Sequence, residues 1–110
     1  MLILTHKLHL KRLEGEVPIE IRIYKPEPKD GCWACAFEID WPEGTKAMSG
    51  AGFDALQALV ISLQMIGIQI YTSSYHHDGA LRAYDTEEGY GFPVSRNVRD
   101  VLIGADKIYL

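Results

Sequence analysis

The sequence predicts an α+β fold. An antiparallel sheet of three to five strands, arranged as an N-terminal meander, packs on one long central helix, and a short C-terminal strand or helix segment follows. Three observations predict this. Residues 2–12, 17–24 and 32–41 alternate apolar and polar side chains with the period of a half-buried strand. Residues 53–71, FDALQALVISLQMIGIQIY, carry apolar residues at three-and-four spacing, and no Asp, Glu, Lys or Arg stands between Asp54 and Asp78. Beyond Asp78 the apolar runs are short and broken by glycine and proline.

In the first strand Leu2, Leu4, His6, Leu8 and Leu10 share one face. Glu14-Gly15-Glu16 turns the chain into the second, where Val17, Ile19, Ile21 and Ile23 alternate with Pro18, Glu20, Arg22 and Tyr24. Pro18 suits the start or edge of its strand. Residues 25–31, KPEPKDG, read as a loop, because two prolines and Asp-Gly interrupt a ladder. The third strand places Trp33, Cys35, Phe37, Ile39 and Trp41 on one face and Cys32, Ala34, Ala36, Glu38 and Asp40 on the other. Residues 45–49 predict a short fourth strand.

Asp54 and Gln57 form a capping box at the helix start, with Phe53 and Ala58 placed as a weak hydrophobic staple. Leu56, Leu59, Val60, Leu63, Ile66 and Ile70 form the face expected to lie on the sheet. Ala58, Ile61, Met65 and Ile68 form a second, roughly opposite face. Gln57 with Gln64, and Ser62 with Gln69, make thin polar stripes between them. An uncharged helix of this kind predicts burial on both sides, under another part of the chain or a second subunit. Three glutamines and Ser62 argue against a membrane span. Gly67 either weakens the helix or admits another backbone. After the helix, residues 81–85 predict a short strand and 90–94 an extended run around Pro93. Ser95 is placed to cap a short helix that Gly104 would end, before the apolar tail Ile108-Tyr109-Leu110.

The 110 residues make one domain, 1–110. The formal charge of −4, with 47% hydrophobic and 24% charged residues, describes a globular protein without a basic nucleic-acid-binding face. It leaves a basic protein partner open. His6, Lys7, His9, Lys11 and Arg12 interrupt the N-terminal apolar run, so no signal peptide is read. With two cysteines, the expectation is a cytoplasmic, reduced protein.

Cys32-Trp33-Ala34-Cys35 has redox or half-zinc spacing. On a strand, however, residues three apart point to opposite faces, and the expectation is two plain strand cysteines. The same geometry separates His6 from His9. His76-His77-Asp78 is the best candidate for chemistry, as metal ligands or as a general base with an orienting carboxylate. Its structural reading is helix capping, with the macrodipole favouring charged imidazole. Adjacent residues diverge, so at most one histidine would serve a given site. Glu38 with Asp40, and Glu87 with Glu88, read as solvated acidic surface. No nucleotide-binding, hydrolase or zinc-protease motif is present, and no cofactor is called for.

The strand CWACAFEI, a glycine turn, and G-F-D-A-L-Q-A-L opening an apolar helix together resemble a small bacterial family of unknown function. The resemblance spans about residues 24–71. In size and style the chain is also similar to immunity proteins of bacterial toxin systems. The resemblance implies a bacterial cytoplasmic protein and brings no catalytic residues with it. The functional expectation is a non-enzymatic interaction or immunity-type module that forms a homodimer. The alternative is a small-molecule- or metal-binding domain, or an enzyme built on one, with its site near His76-His77-Asp78.

Overall fold

The computed structural model describes residues 1–83 and 89–110. The predicted architecture is present: an antiparallel N-terminal sheet against one long helix, then a short C-terminal strand and helical segments. Strands β1 (Leu2–Arg12), β2 (Gly15–Tyr24), β3 (Glu27–Lys29), β4 (Cys32–Trp41) and β5 (Gly44–Gly52) precede helix α1 (Ala55–Tyr71). Helix α2 (Ser74–His77), strand β6 (Leu81–Arg82), a 3₁₀ segment (Arg96–Val101) and helix α3 (Gly104–Tyr109) follow. The expected strand over residues 81–85 is described only as β6; Asp85 lies outside the described residues.

β4 is the central strand. It pairs with β5 along its length on one side, and with β3 and then β2 on the other. β1 pairs with β2, and β6 with β1 at His9 and Leu10 only. The inner face buries Leu8, Ile19, Ile21, Ile23, Phe37 and Ile39. Burying such side chains contributes about 1.5–3 kcal/mol each, which makes this face the main stabilising layer.

Two strand readings are corrected. Residues 25–31 do not stop the ladder: β3 pairs Glu27 with Ala34 and Lys29 with Cys32. Asp30 and Gly31 both take positive φ, 51° and 82°, which is the two-residue turn that matches strand twist. Pro28 is tolerated because β3 has a partner on one side only. Leu2 does not share the face of Leu4. The register slips between them, so Leu4 lies opposite buried Ile23 while Leu2 lies opposite Tyr24 on the outer face.

The cap of α1 forms as expected. Asp54 Oδ1 accepts the Gln57 N–H at 2.7 Å, and Gln57 Oε1 accepts the Phe53 N–H at 2.6 Å. The Phe53 staple does not form, since Phe53 is 90% exposed. The sheet-facing side of α1 also differs from expectation. Ala58, Ser62, Ile66 and Ile70 are buried, at strict i, i+4 spacing, while Leu56 is 71% exposed and Val60 is exposed as well.

The reason lies in β5. A Cβ on Gly50 would overlap Ser62, and one on Gly52 would stand 2.6 Å from the Ala58 nitrogen. Two glycines thus admit small helical residues to backbone contact, where leucine would hold the helix away. Ser62 is no stripe residue but the polar centre of the contact. Its Oγ donates to the Cys35 carbonyl at 2.6 Å and accepts the Gly50 N–H at 3.0 Å.

The other flank of α1 is covered towards its C-terminal end. Gly67 meets the backbone of Pro93, where any Cβ would overlap the Pro93 carbonyl oxygen, so the close-approach reading of that glycine holds. Ile61, Met65 and Ile68 remain partly exposed beside Met48 and Ser95. In the C-terminal segment, the stretch after Ser95 is a 3₁₀ turn without a side-chain cap from Ser95. Gly104, expected to end a helix, begins α3 instead, at φ 56°. Among the described residues, no helix is long and apolar enough to cross a membrane.

Candidate functional site

A partly buried group of titratable side chains lies where α1 ends. α1 stops at Thr72, and Ser73 restarts the chain as α2, its Oγ accepting the His76 N–H at 3.2 Å. This extra turn sends His76 inward. Its Nδ1 lies 2.5 Å from the Tyr90 hydroxyl, and its ring packs edge-on against Tyr71 and Tyr90 at 4.9 and 5.4 Å. Burial, and secondarily the neighbouring His77, lower the pKa of His76. The direction of the His76–Tyr90 bond follows the imidazole tautomer, and the Tyr90 O–H also donates to the Leu81 carbonyl at 3.3 Å. Desolvation therefore outweighs the helix-end field expected to favour imidazolium.

Asp106 of α3 is the second centre. It is 2% exposed and accepts three hydrogen bonds: Tyr71 O–H at 2.7 Å, Tyr90 N–H at 2.8 Å and Gly91 N–H at 2.9 Å. Gly89, at φ 92°, leaves the room the carboxylate needs; a Cβ there would lie 2.5 Å from its carbon. Burial pushes the Tyr71 hydroxyl pKa up, and the bond to Asp106 adds to the rise. Charge and donors match here, since a buried carboxylate with three donors is among the stronger arrangements available to a core.

His6 joins from β1. Its ring stands edge-on to Phe92 at 5.3 Å. Burial lowers its pKa; a bond with the Tyr90 backbone and the charge of Asp106 partly oppose this. Its Nε2 is buried and finds no hydrogen-bond partner among the described residues. His6, Tyr71, His76, Tyr90 and Asp106 thus form a polar seam that holds residues 89–110 against β1 and α1. Beside it lies a cavity of about 180 Å³ lined in part by His76, Leu81, Arg82, Tyr90 and Ile103.

Of His76, His77 and Asp78, only His76 enters this seam. His77 and Asp78 are exposed at the end of α2, and the three do not converge. Among the described residues, no group of three or more His, Cys, Asp or Glu side chains could hold a metal ion. Cys32 and Cys35 are unbonded to each other, and Cys35 donates its thiol to the Tyr24 carbonyl at 3.2 Å. Glu38 and Asp40 lie on the outer sheet face around Arg22, which bridges both of them and Glu20. Bonds from Arg22 and then Thr45 hold the Asp40 carboxyl at about 2. Glu87 and Glu88 lie outside the described residues.

Sequence reasoning missed Tyr71, Tyr90 and Asp106. Tyr71 closes the apolar run, and Asp106 stands in a hexapeptide with no marked period. The local signal available was glycine: Gly89 and Gly91 flank Tyr90, and both take positive φ.

A family model described as a domain of unknown function (DUF6968) matches residues 4–94, and the chain belongs to that family. The match stops short of the 3₁₀ segment and α3, so Asp106 stands outside it while its partners Tyr71, Tyr90 and Gly91 lie inside. Comparisons with curated proteins and with solved structures return no match.

Proposed function

We propose that this member of the family is a non-enzymatic protein-interaction module of the immunity type, working as a homodimer of one domain, residues 1–110, in the cytoplasm. One observation carries the reading: apart from His6 Nε2, the groups best suited to chemistry are spent on one another, while large apolar side chains are left on the surface. His76 and Tyr90 satisfy each other, and Asp106 satisfies Tyr71 and two backbone N–H groups. Outside, Leu2, Ile3 and Leu4 are 46, 43 and 46% exposed on one strand. Exposed apolar clusters of this kind mark contact surfaces. The net charge of −4 would steer association with a basic protein partner, at a rate that falls with salt.

The test is affinity capture from the native host, with light scattering of the purified chain. Recovery of a basic protein together with a stoichiometric dimer supports the reading. A monomer that captures nothing overturns it.

A second reading has its own observation, the cavity beside His76 and Tyr90. At about 180 Å³ it is below the size of ordinary small-molecule pockets and suits an ion or a very small ligand, with His76 and Tyr90 in its lining. Metal analysis of purified protein and a thermal-shift screen with zinc and small anions test it. Stabilisation that His76→Ala abolishes would favour this reading over the first.

A further inference from the structure

We infer that β5 and the adjoining flank of α1 form a docking groove for an extended segment of another protein. That segment adds to the sheet beside β5, sets apolar side chains over Met48 and Met65, and places a carboxylate against Lys46. The inference rests on the interaction reading above and names a surface for it.

The backbone supplies the first argument. β4 and β5 meet in a two-residue turn, so Trp41 and Gly44 form a hydrogen-bonded pair, as does every second pair after them. Gly44, Lys46, Met48 and Gly50 therefore turn their N–H and C=O groups towards β4. The Ser62 hydroxyl, which joins the Gly50 N–H to the Cys35 carbonyl, fits that sense. Thr45, Ala47, Ser49 and Ala51 turn theirs outward, and all four are exposed. β5 pairs with β4 alone and ends the sheet on the side opposite β6, with β4, β2 and β1 between. Residues 84–88 join β6 to Gly89 beside Asp106, and a path of roughly 20 Å fully extended cannot cross three strands and return. An edge of this kind takes an added strand.

Side chains supply the second argument. Met48 lies opposite buried Phe37, on the α1 side of the sheet, and lines a groove of about 260 Å³ with Ile61, Met65 and Ile68. Alternate side chains of a strand beside β5 would drop into it. The groove is below the size of ordinary small-molecule pockets and suits aliphatic side chains. On the other sheet face Thr45, Ala47, Ser49 and Ala51 are small, so a strand can approach without obstruction.

Charge selects the occupant. Gly52 meets Ala58 and Gly50 meets Ser62, so Lys46, on the same face as Met48, lies towards Gln69. Arg96 follows Ser95, which also lines the groove. Both cations are exposed, and neither has an ion-pair partner among the described residues. The groove lining contains no acidic residue. β5 holds no Asp or Glu either, so a second copy set edge to edge would leave both cations unanswered. The complementary occupant is a strand of a different protein, apolar at alternate positions and acidic where it meets Lys46. One such carboxylate is compatible with a partner that is basic elsewhere.

The test titrates the full chain with acetyl-Thr-Leu-Thr-Leu-Thr-Glu-amide and its Lys-for-Glu counterpart, read by amide and methionine-methyl NMR. Paired antiparallel, the first sets its Glu opposite Lys46 and a Leu opposite Met48. It should bind with a dissociation constant on the order of 100 μM, since one short strand is far below a standard interface. It should shift the amides of residues 45–51 and the methyls of Met48 and Met65. The Lys peptide should bind about fivefold more weakly, and Lys46→Glu should reverse that preference. Met65→Lys should weaken the Glu peptide about tenfold, while Leu56→Lys, on the other flank of α1, should leave it unchanged.

Equal binding of the two peptides to the native chain, shifts that map away from residues 45–51, or no shift at millimolar peptide each overturns the inference. These native-chain measurements decide alone if Met65→Lys fails to fold. Exchange at Ala47 and Ser49 that slows with chain concentration, without peptide, assigns the edge to a second copy and overturns the different partner. Affinity capture that is undiminished by Met65→Lys and Lys46→Glu overturns the groove and leaves the interaction reading standing. A chain that binds neither peptide nor any partner overturns both.

Discussion

The two ends of α1 meet their neighbours by opposite means. The N-terminal half lies on β5 through Gly50, Gly52, Ala58 and Ser62, and is held by backbone proximity with a single hydroxyl bridging two strands. The C-terminal half meets residues 89–110 through Gly67, Tyr71 and Asp106, and is held by a buried carboxylate and neutral imidazoles. Removing side chains brings surfaces together in the first contact. The second adds charge and then satisfies it. The first should therefore respond to volume and stay indifferent to mild acid, whereas the second should respond to both.

The largest effect is expected from Gly67→Val. Its side chain cannot coexist with the Pro93 backbone, and about 3 kcal/mol or more should be lost in denaturant unfolding. Amide exchange should show Tyr90 and Gly91 losing protection while β4 keeps it. Gly50→Val should match it in size but loosen the whole helix layer, and equal patterns for the two would break the comparison.

Asp106→Ala leaves one hydroxyl and two N–H groups without their acceptor and should cost about 2–4 kcal/mol. Ser62→Ala frees the Gly50 N–H and the Cys35 carbonyl and should cost about 1–3 kcal/mol, with the C-terminal segment still protected.

Acid tests the contrast by charge. Burial holds the folded pKa values of His6 and His76 below that of an exposed histidine, so the unfolded chain binds their protons more readily. Stability should be full above about pH 6.5 and fall as pH drops towards their folded values. A melt series from pH 7.5 to 5.5 should show the loss, and His76→Phe should flatten part of it. The smallest effect is the cap: Asp54→Ala should cost about 1 kcal/mol.

How much of this was legible depends on the range over which each signal acts. The Asp54–Gln57 box and the period-two strands were readable because they involve residues a few positions apart. The sheet-facing side of α1 was misread because hydropathy ranks leucine above serine, whereas the contact chose small residues that Gly50 and Gly52 could receive. β3 has no local signature because prolines break most ladders, whereas its edge position tolerates them. His76 was placed among the candidates, but its neighbours His77 and Asp78 were not its partners. Those are Tyr90, 14 positions on, and Tyr71 beside it.

By itself, the sequence determined the local terms: strand alternation, the helix and its cap, the glycine turns and the absence of charge along α1. These follow from side-chain period and from hydrogen bonds spanning three or four residues. Only the tertiary structure decided which side of α1 meets the sheet, that Pro93 crosses at Gly67, and that Asp106 joins Tyr71 and Tyr90. Those outcomes depend on close approach and burial between residues up to 35 positions apart, and no local pattern encodes them.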